Sequence, residues 1–377
     1  MKRKTSNEKI SIRKINSTEE FHSLEGDWGQ LLAQNHVQSA FLSWEWLYSW
    51  WEIYNEGHEL WLLTAWNNNE LYGVMPLMIS TEKRRGFSFR VLHPLGTPLG
   101  DASGFLLKDK SEAALFAMSN YLLQHKKDWD TLLLNNFTQS DIVLTWLKSY
   151  LNDKGMIKRE KISEHFYIHL KGKWDEYSAS LSSRFRKNLR RATRNAAKSG
   201  VVSFIYFPGK KAKWEVFQKI IKLDQYSKYP IIYQSIQEQE FHKKLFKRMQ
   251  EKEQLVLFLL EINDIPLAYE YGFIQNGKYE SWRASYDYRF DPKVSIGTLL
   301  SKLVTEKSFE LDYKEIDFLR GTESYKLKWK PASRNYTKIR FIHKKNLLPI
   351  FIYIWFPKFK NWITKKNSLL QFFIKRG

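Results

Sequence analysis

Apolar and polar positions switch between two periods along this chain. Ser11–Asn16 reads as a short strand; Thr18 then stands as a helix N-cap, with Glu19 and Glu20 in the first turn and Phe21, Leu24 and Trp28 on one face. Ser43 caps a second helix that opens within Phe41–Leu47. Leu60–Trp66 and Leu71–Met78 are apolar strands joined by Asn67-Asn68-Asn69, a hairpin signal. Strand Phe87–His93, the glycine-rich loop Gly96–Gly104, helix Ser111–Lys126, strand Thr131–Asn135, helix Ser140–Leu151 and strand Lys158–His169 follow.

The second half repeats this order. Basic helix Ser180–Lys198 leads to strand Val201–Phe207, helices Lys213–Leu223 and Gln237–Lys252, and a second hairpin, Leu255–Glu261 with Pro266–Phe273. Strand Lys278–Asp287, helix Ser295–Leu311, strand Glu315–Leu319, helix Glu323–Trp329 and strand Thr337–His343 close it. The two hairpins lie about half the chain apart, which points to duplication rather than a solenoid. The expected fold class is α/β (α+β): two tandem domains, 1–165 and 166–343, each a mixed twisted sheet flanked by helices. Residues 344–377 form a separate basic, aromatic tail.

Composition narrows the function. The chain has 377 residues, 43% hydrophobic and 27% charged, as for a folded two-domain protein. Its 15 Trp suit a heavy aromatic core or a site for flat ligands. The net charge of +21 favours anionic partners: nucleic acid, anionic lipid, or a phosphate-rich substrate. With no cysteine, enzyme-thiol chemistry and disulfides are excluded. The nine His are not read as a zinc set, so no metal is expected. Neither a secretory signal nor a membrane span is indicated, so a cytoplasmic location is expected. In the tail, Leu347–Phe356, Lys358, Lys360, Trp362, Lys365, Lys366 and Leu369–Ile374 resemble a segment lying on an anionic membrane; packing on the protein itself is the alternative.

Candidate chemistry concentrates in the second half. Ser295-Ile296-Gly297-Thr298 opens a long helix directly after a strand. Ser295 is expected to cap it, and Gly297 to clear space for an anion at the free amides, as a pyrophosphate needs; a plain N-cap is the simpler reading. Asp317–Trp329 ends the next strand with a charged cluster, where ligands bind in α/β sheets. Asp317 or Glu323 could accept a proton and Tyr325 return one; the alternative is a salt-bridge network of Asp317 or Glu323 with Arg320. Arg283, Asp287, Arg320 and Lys326 are candidate substrate contacts. Helix Ser182–Lys198 carries an apolar stripe, Phe185, Leu189, Ala192 and Ala196. Its acid-free basic face includes Arg184 and Arg191, suited to phosphates or to solvent.

These motifs carry a resemblance. Ser295–Gly297, Asp317–Trp329, the basic segment Leu181–Arg191 and FLSWEWLYSWW resemble GNAT-superfamily acyltransferases of the CelD/BcsL type, distantly similar to FemAB-type peptidoglycan aminoacyltransferases. The resemblance covers roughly residues 10–340. It implies acyl-CoA, with acetyl-CoA foremost, as donor, and an anionic or lipid-linked sugar precursor of envelope or exopolysaccharide as acceptor. It departs from the usual pyrophosphate loop, which here reads Arg289–Thr298. Asp101 and the loop Gly96–Gly104 would be a relic of the phosphate loop or a substrate loop, and the first half is expected to be noncatalytic. A charged-tRNA-dependent transferase and a non-enzymatic nucleic-acid or membrane binder are the competing readings.

Overall fold

The computed structural model describes residues 9–35 and 39–357. Its first half runs β1 (Ile10–Ile15), α1 (Thr18–Ser23), α2 (Glu25–Gln34), α3 (Trp44–Tyr54), β2 (His58–Leu60), β3 (Leu62–Asn67), β4 (Glu70–Met75), β5 (Leu77–Arg84), β6 (Phe87–Pro94), β7 (Leu106–Leu107), α4 (Glu112–Gln124), β8 (Thr131–Thr138), α5 (Ile142–Asp153) and β9 (Met156–His169). The second half runs α6 (Trp174–Ser180), α7 (Ser183–Ser199), β10 (Val202–Pro208), α8 (Trp214–Asp224), α9 (Ile236–Glu251), β11 (Leu255–Ile262), β12 (Ile265–Gln275), β13 (Lys278–Tyr286), α10 (Ile296–Glu310), β14 (Glu315–Asp317), α11 (Ser324–Leu327), β15 (Ala332–His343) and α12 (Leu347–Ile350).

Local chemistry explains most boundaries. Ser17, not Thr18, caps α1 by accepting the Glu20 amide, and the single helix read there is two, α1 and α2. Ser43 caps α3 as expected, through the Trp46 amide. In the second hairpin both turn residues, Asn263 and Asp264, take positive φ (51° and 61°), the geometry that a tight right-twisted hairpin requires. The stripe of α7 is buried as read, with Phe185, Leu189, Ala192 and Ala196 all inside.

The architecture is a mixed α/β one, and the repeat read from the sequence is only partial: the first half divides nine strands between two sheets, whereas the six strands β10–β15 of the second all join one. A four-stranded sheet has order β1-β3-β4-β7, and an eleven-stranded sheet has order β10-β11-β12-β13-β14-β9-β15-β8-β6-β5-β2. The halves exchange their last strands. β9 closes the first half yet pairs with β14, and β15 closes the second yet pairs with β8. The two exchanged strands pair with each other from Ala332↔Tyr167 to His343↔Met156. Residue 165 therefore lies inside β9. Each half has one parallel pair, β6 with β8 and β13 with β14, and these are where the sheet can part. The aromatic richness goes largely into the core: Trp28, Trp46, Trp61 and Trp329 are fully buried.

Candidate functional site

β13 and β14 pair only over Lys278–Glu280 and Glu315–Asp317. Beyond that point β13 continues to Tyr286 while the other chain leaves the sheet. The Asp317 carboxylate accepts the Leu319 amide (2.9 Å), and Leu319 takes φ 56°. The strand read as Glu315–Leu319 thus stops at Asp317. A bulge bends β13 at the same level: Tyr271 faces Arg283 and Gly272 faces Ser281, leaving Trp282 as the extra residue. A Cβ at Gly272 would fall 1.9 Å from the Glu280 carbonyl oxygen, so only glycine admits this approach.

A cavity of about 590 Å³ occupies the resulting wedge. It is lined by the parted part of β13 (Ser281, Ala284–Tyr286), the following loop from Asp287, the start of α10 (Ser295–Thr298), and Phe185, Tyr325 and Lys328. The structure thus brings Asp287, Ser295, Ile296, Gly297, Thr298 and Tyr325 to one cavity.

Ser295 does not cap α10 as expected. It takes φ 58° and its side chain makes no capping bond; its carbonyl accepts the Thr298 and Leu299 amides (2.9 and 3.1 Å). The amides of Ile296 and Gly297 precede these first helical bonds and are the orphan donors of the helix. The space left by Gly297 borders the Tyr286 ring, 3.1 Å from an added Cβ, so the glycine admits that ring to the first turn. Asp287 is held by Arg289, which donates from Nε (2.9 Å) and Nη2 (2.6 Å); these bonds lower its pKa.

Besides Asp287 and Asp291, the cavity is lined by an acidic residue that the sequence reading missed. Glu270, on β12, is buried, and its Oε1 accepts from Ser281 Oγ (2.7 Å) and the Tyr279 hydroxyl (3.2 Å). Oε2 has no partner among the described residues. Burial raises the Glu270 pKa, with the two hydroxyls pulling it back only in part. The one available signal was a lone charge inside the apolar run Leu267–Phe273. Tyr325 is half exposed, yet the protein atoms crowding it and the charges of Glu270 and Glu323 raise its pKa, so its hydroxyl keeps its proton at neutral pH.

The other residues read as candidates stand elsewhere. Asp317 is buried behind the wedge, 3.5 Å from Arg334; burial outweighs the nearby Lys278 and Arg334 charges and raises its pKa to about 6. Glu323 is exposed and pairs with Lys326 (2.9 Å). Lys326 is consumed locally: its Nζ donates to the carbonyls of Phe318, Arg320 and Gly321 (2.9, 2.9 and 3.2 Å), pinning the turn that Gly321 makes at φ 110°. Arg320 pairs across the halves with buried Asp101 (2.9 Å), not with Asp317 or Glu323. Arg283 lies over its own Trp282 ring (4.1 Å) and does not line the cavity. Arg184 and Arg191 are exposed on α7 and, among the described residues, have no acidic partner. The sequence holds one His-x-x-x-His, His165–His169. It lies on a strand, where positions four apart are about 13 Å apart, too far to share an ion.

Residues 183–327 match the family model described as an acetyltransferase (GNAT) domain. No curated protein matches the chain. Among solved structures, that of FemX is similar at TM-score 0.57 and 11% identity, covering 87% of this chain and 96% of the other. The C-terminal domain of a protein titled a lysylphosphatidylglycerol synthetase, from Agrobacterium fabrum, follows at 0.54 and 8%, covering 89% and 97%. L-PGS from Bacillus licheniformis gives 0.52 and 10%, covering 87% and 94%. At such identities the likeness is one of fold. Residues 183–327 are thus similar to a GNAT acetyltransferase domain, and the chain as a whole shares its fold with these three structures.

Proposed function

We propose that the protein transfers an acyl group from acyl-CoA, with acetyl-CoA the first candidate, to an amine or hydroxyl of an anionic or lipid-linked sugar precursor of the cell envelope or an exopolysaccharide. One observation carries this reading: within the matched domain, a parted strand edge, a helix start and a buried carboxyl line the same cavity. The amides at the start of α10 and the Lys328 side chain suit the pyrophosphate. The unpaired edge of β13 offers amides to the pantetheine arm and to the thioester carbonyl. The acceptor nitrogen or oxygen attacks that carbonyl carbon and its proton passes to Glu270 Oε2. The carbon–sulfur bond breaks, and Tyr325 protonates the leaving thiolate. Asp317, Lys326 and Arg320 act through the turn they hold, and the first half supplies the other wall of the acceptor cleft.

Isothermal calorimetry with acetyl-CoA and with free CoA tests the donor. Saturable binding that Gly297→Trp abolishes is expected; no binding at low or moderate salt overturns the reading. The unpaired basic face of α7, whose Phe185 lines the cavity, favours a second reading in which the donor is a charged tRNA. Activity lost on ribonuclease treatment would select it.

A further inference from the structure

The chain beyond β15 turns back onto the first half. α12 continues as one π-helical turn over Phe351–Trp355, and its inner face is covered: Ile350, Ile352, Tyr353 and Ile354 pack with Phe89, Val91 and Ile342. Arg159 fixes the turn by donating to the Tyr353 carbonyl (2.7 Å). Packing on the protein itself thus accounts for one face of this segment. Among the described residues nothing covers the outer face. Leu347 is 67%, Phe351 49% and Trp355 56% exposed, and Phe87, on the neighbouring β6, is 46% exposed.

Cations frame this face. Lys344 and Lys345 are exposed at its start, and Arg85 lies over the Phe356 ring at 3.4 Å. The sequence from 324 to 377 contains no Asp or Glu. A second copy meeting this face symmetrically would bring like charges together. A surface that is apolar at its centre and positive at its rim is complementary to a bilayer bearing anionic headgroups. Among the described residues no helix is long and apolar enough to cross a membrane, so the contact is one of lying on the surface.

We propose that Leu347, Phe351, Trp355 and Phe87, rimmed by Lys344, Lys345 and Arg85, form a docking face for an anionic membrane surface. The proposal stands independently of the acyltransferase reading. The residues read as membrane-contacting beyond Pro357, from Lys358 to Ile374, lie outside the described residues.

The full chain is sedimented with vesicles of phosphatidylcholine alone and of phosphatidylcholine mixed with phosphatidylglycerol. Binding to the mixed vesicles only, weakened by salt, is expected. Lys344→Gln/Lys345→Gln should weaken it about thirtyfold, at about fivefold for each cation removed from an anionic surface. Phe351→Ser/Trp355→Ser, at exposed positions and so compatible with folding, should weaken it at least as much. Equal binding to both vesicle types, no binding, or retention by both variants overturns the proposal. So does light scattering that shows a dimer which the Phe351→Ser/Trp355→Ser variant converts to monomer, because the face would then belong to a second copy.

Discussion

After β6 in the first half the chain runs through Gly96–Gly104; after β13 in the second it runs through Asp287–Val294 into α10. The first segment is the one rich in glycine, yet its glycines serve packing. A Cβ at Gly96 would lie 2.3 Å from the Trp46 ring, and Gly100 and Gly104 abut Trp46 and Leu42. Phe105 and Phe137 then meet edge to face (5.1 Å) in the apolar cluster of that half. The second segment has a single relevant glycine, Gly297, and opens onto the 590 Å³ cavity. Loop composition therefore says little about where a ligand fits. What decides is whether aromatic side chains occupy the wedge beside the parallel strand pair.

The largest effect that separates the halves is expected from Glu270→Gln. Loss of a positioned base should lower kcat by roughly 10²–10⁴-fold, with acetyl-CoA binding and folding retained. The base works deprotonated, so wild-type rate falls as pH falls. Because burial raises its pKa, that limb lies above the range of a free carboxylate. The Gln variant should lose the limb. A variant within a few fold of wild type would make Glu270 a structural carboxyl only.

Next comes the pair of glycines. Gly96→Ala forces a side chain onto positive φ (86°) and into Trp46, which is fully buried and cannot yield. A loss of about 3 kcal/mol is expected in chemical denaturation. Gly297→Ala meets the ring of Tyr286, which is exposed and can swing aside, so its stability should change by less than about 1 kcal/mol. Equal losses at both positions would erase the distinction between a packed loop and an open one.

Much of this difference was legible in the sequence, and the remainder was not for identifiable reasons. The α7 stripe and the hairpins follow from periodicity, which local residues determine. The exchange of β9 and β15 is invisible there, because either pairing satisfies the same alternation. Ser295, Gly297 and Tyr325 could be picked out because turn chemistry and strand ends are local signals. Glu270 could not, since a single carboxyl on an apolar strand reads alike whether it faces a cavity or a salt bridge. Arg320 was read as a ligand contact because its partner, Asp101, is known only once the halves are assembled, and Lys326 because the turn that folds Phe318, Arg320 and Gly321 back onto its ammonium has no periodic signature.

The smallest effect sharpens the same comparison at the strand ends. Beside β6, β8 begins Thr131-Leu132-Leu133; beside β13, β14 reads Glu315-Ile316-Asp317. Only the second half buries a carboxyl there. Asp317 titrates near 6 when folded, against 3.8 for an ordinary Asp, so the folded state holds its proton more tightly than the unfolded one. Its contribution to stability is fully present below pH 3.8 and is lost as pH rises through about 6. Asp317→Asn keeps an oxygen for the Leu319 amide, while Lys278 and Arg334 keep Glu280 and Glu315 as partners. The variant should match wild type at acid pH and gain at most about 3 kcal/mol at neutral pH, measured by denaturation across that window. If the variant keeps the wild-type slope there, the burial cost lies in another group and the two strand ends are electrostatically alike.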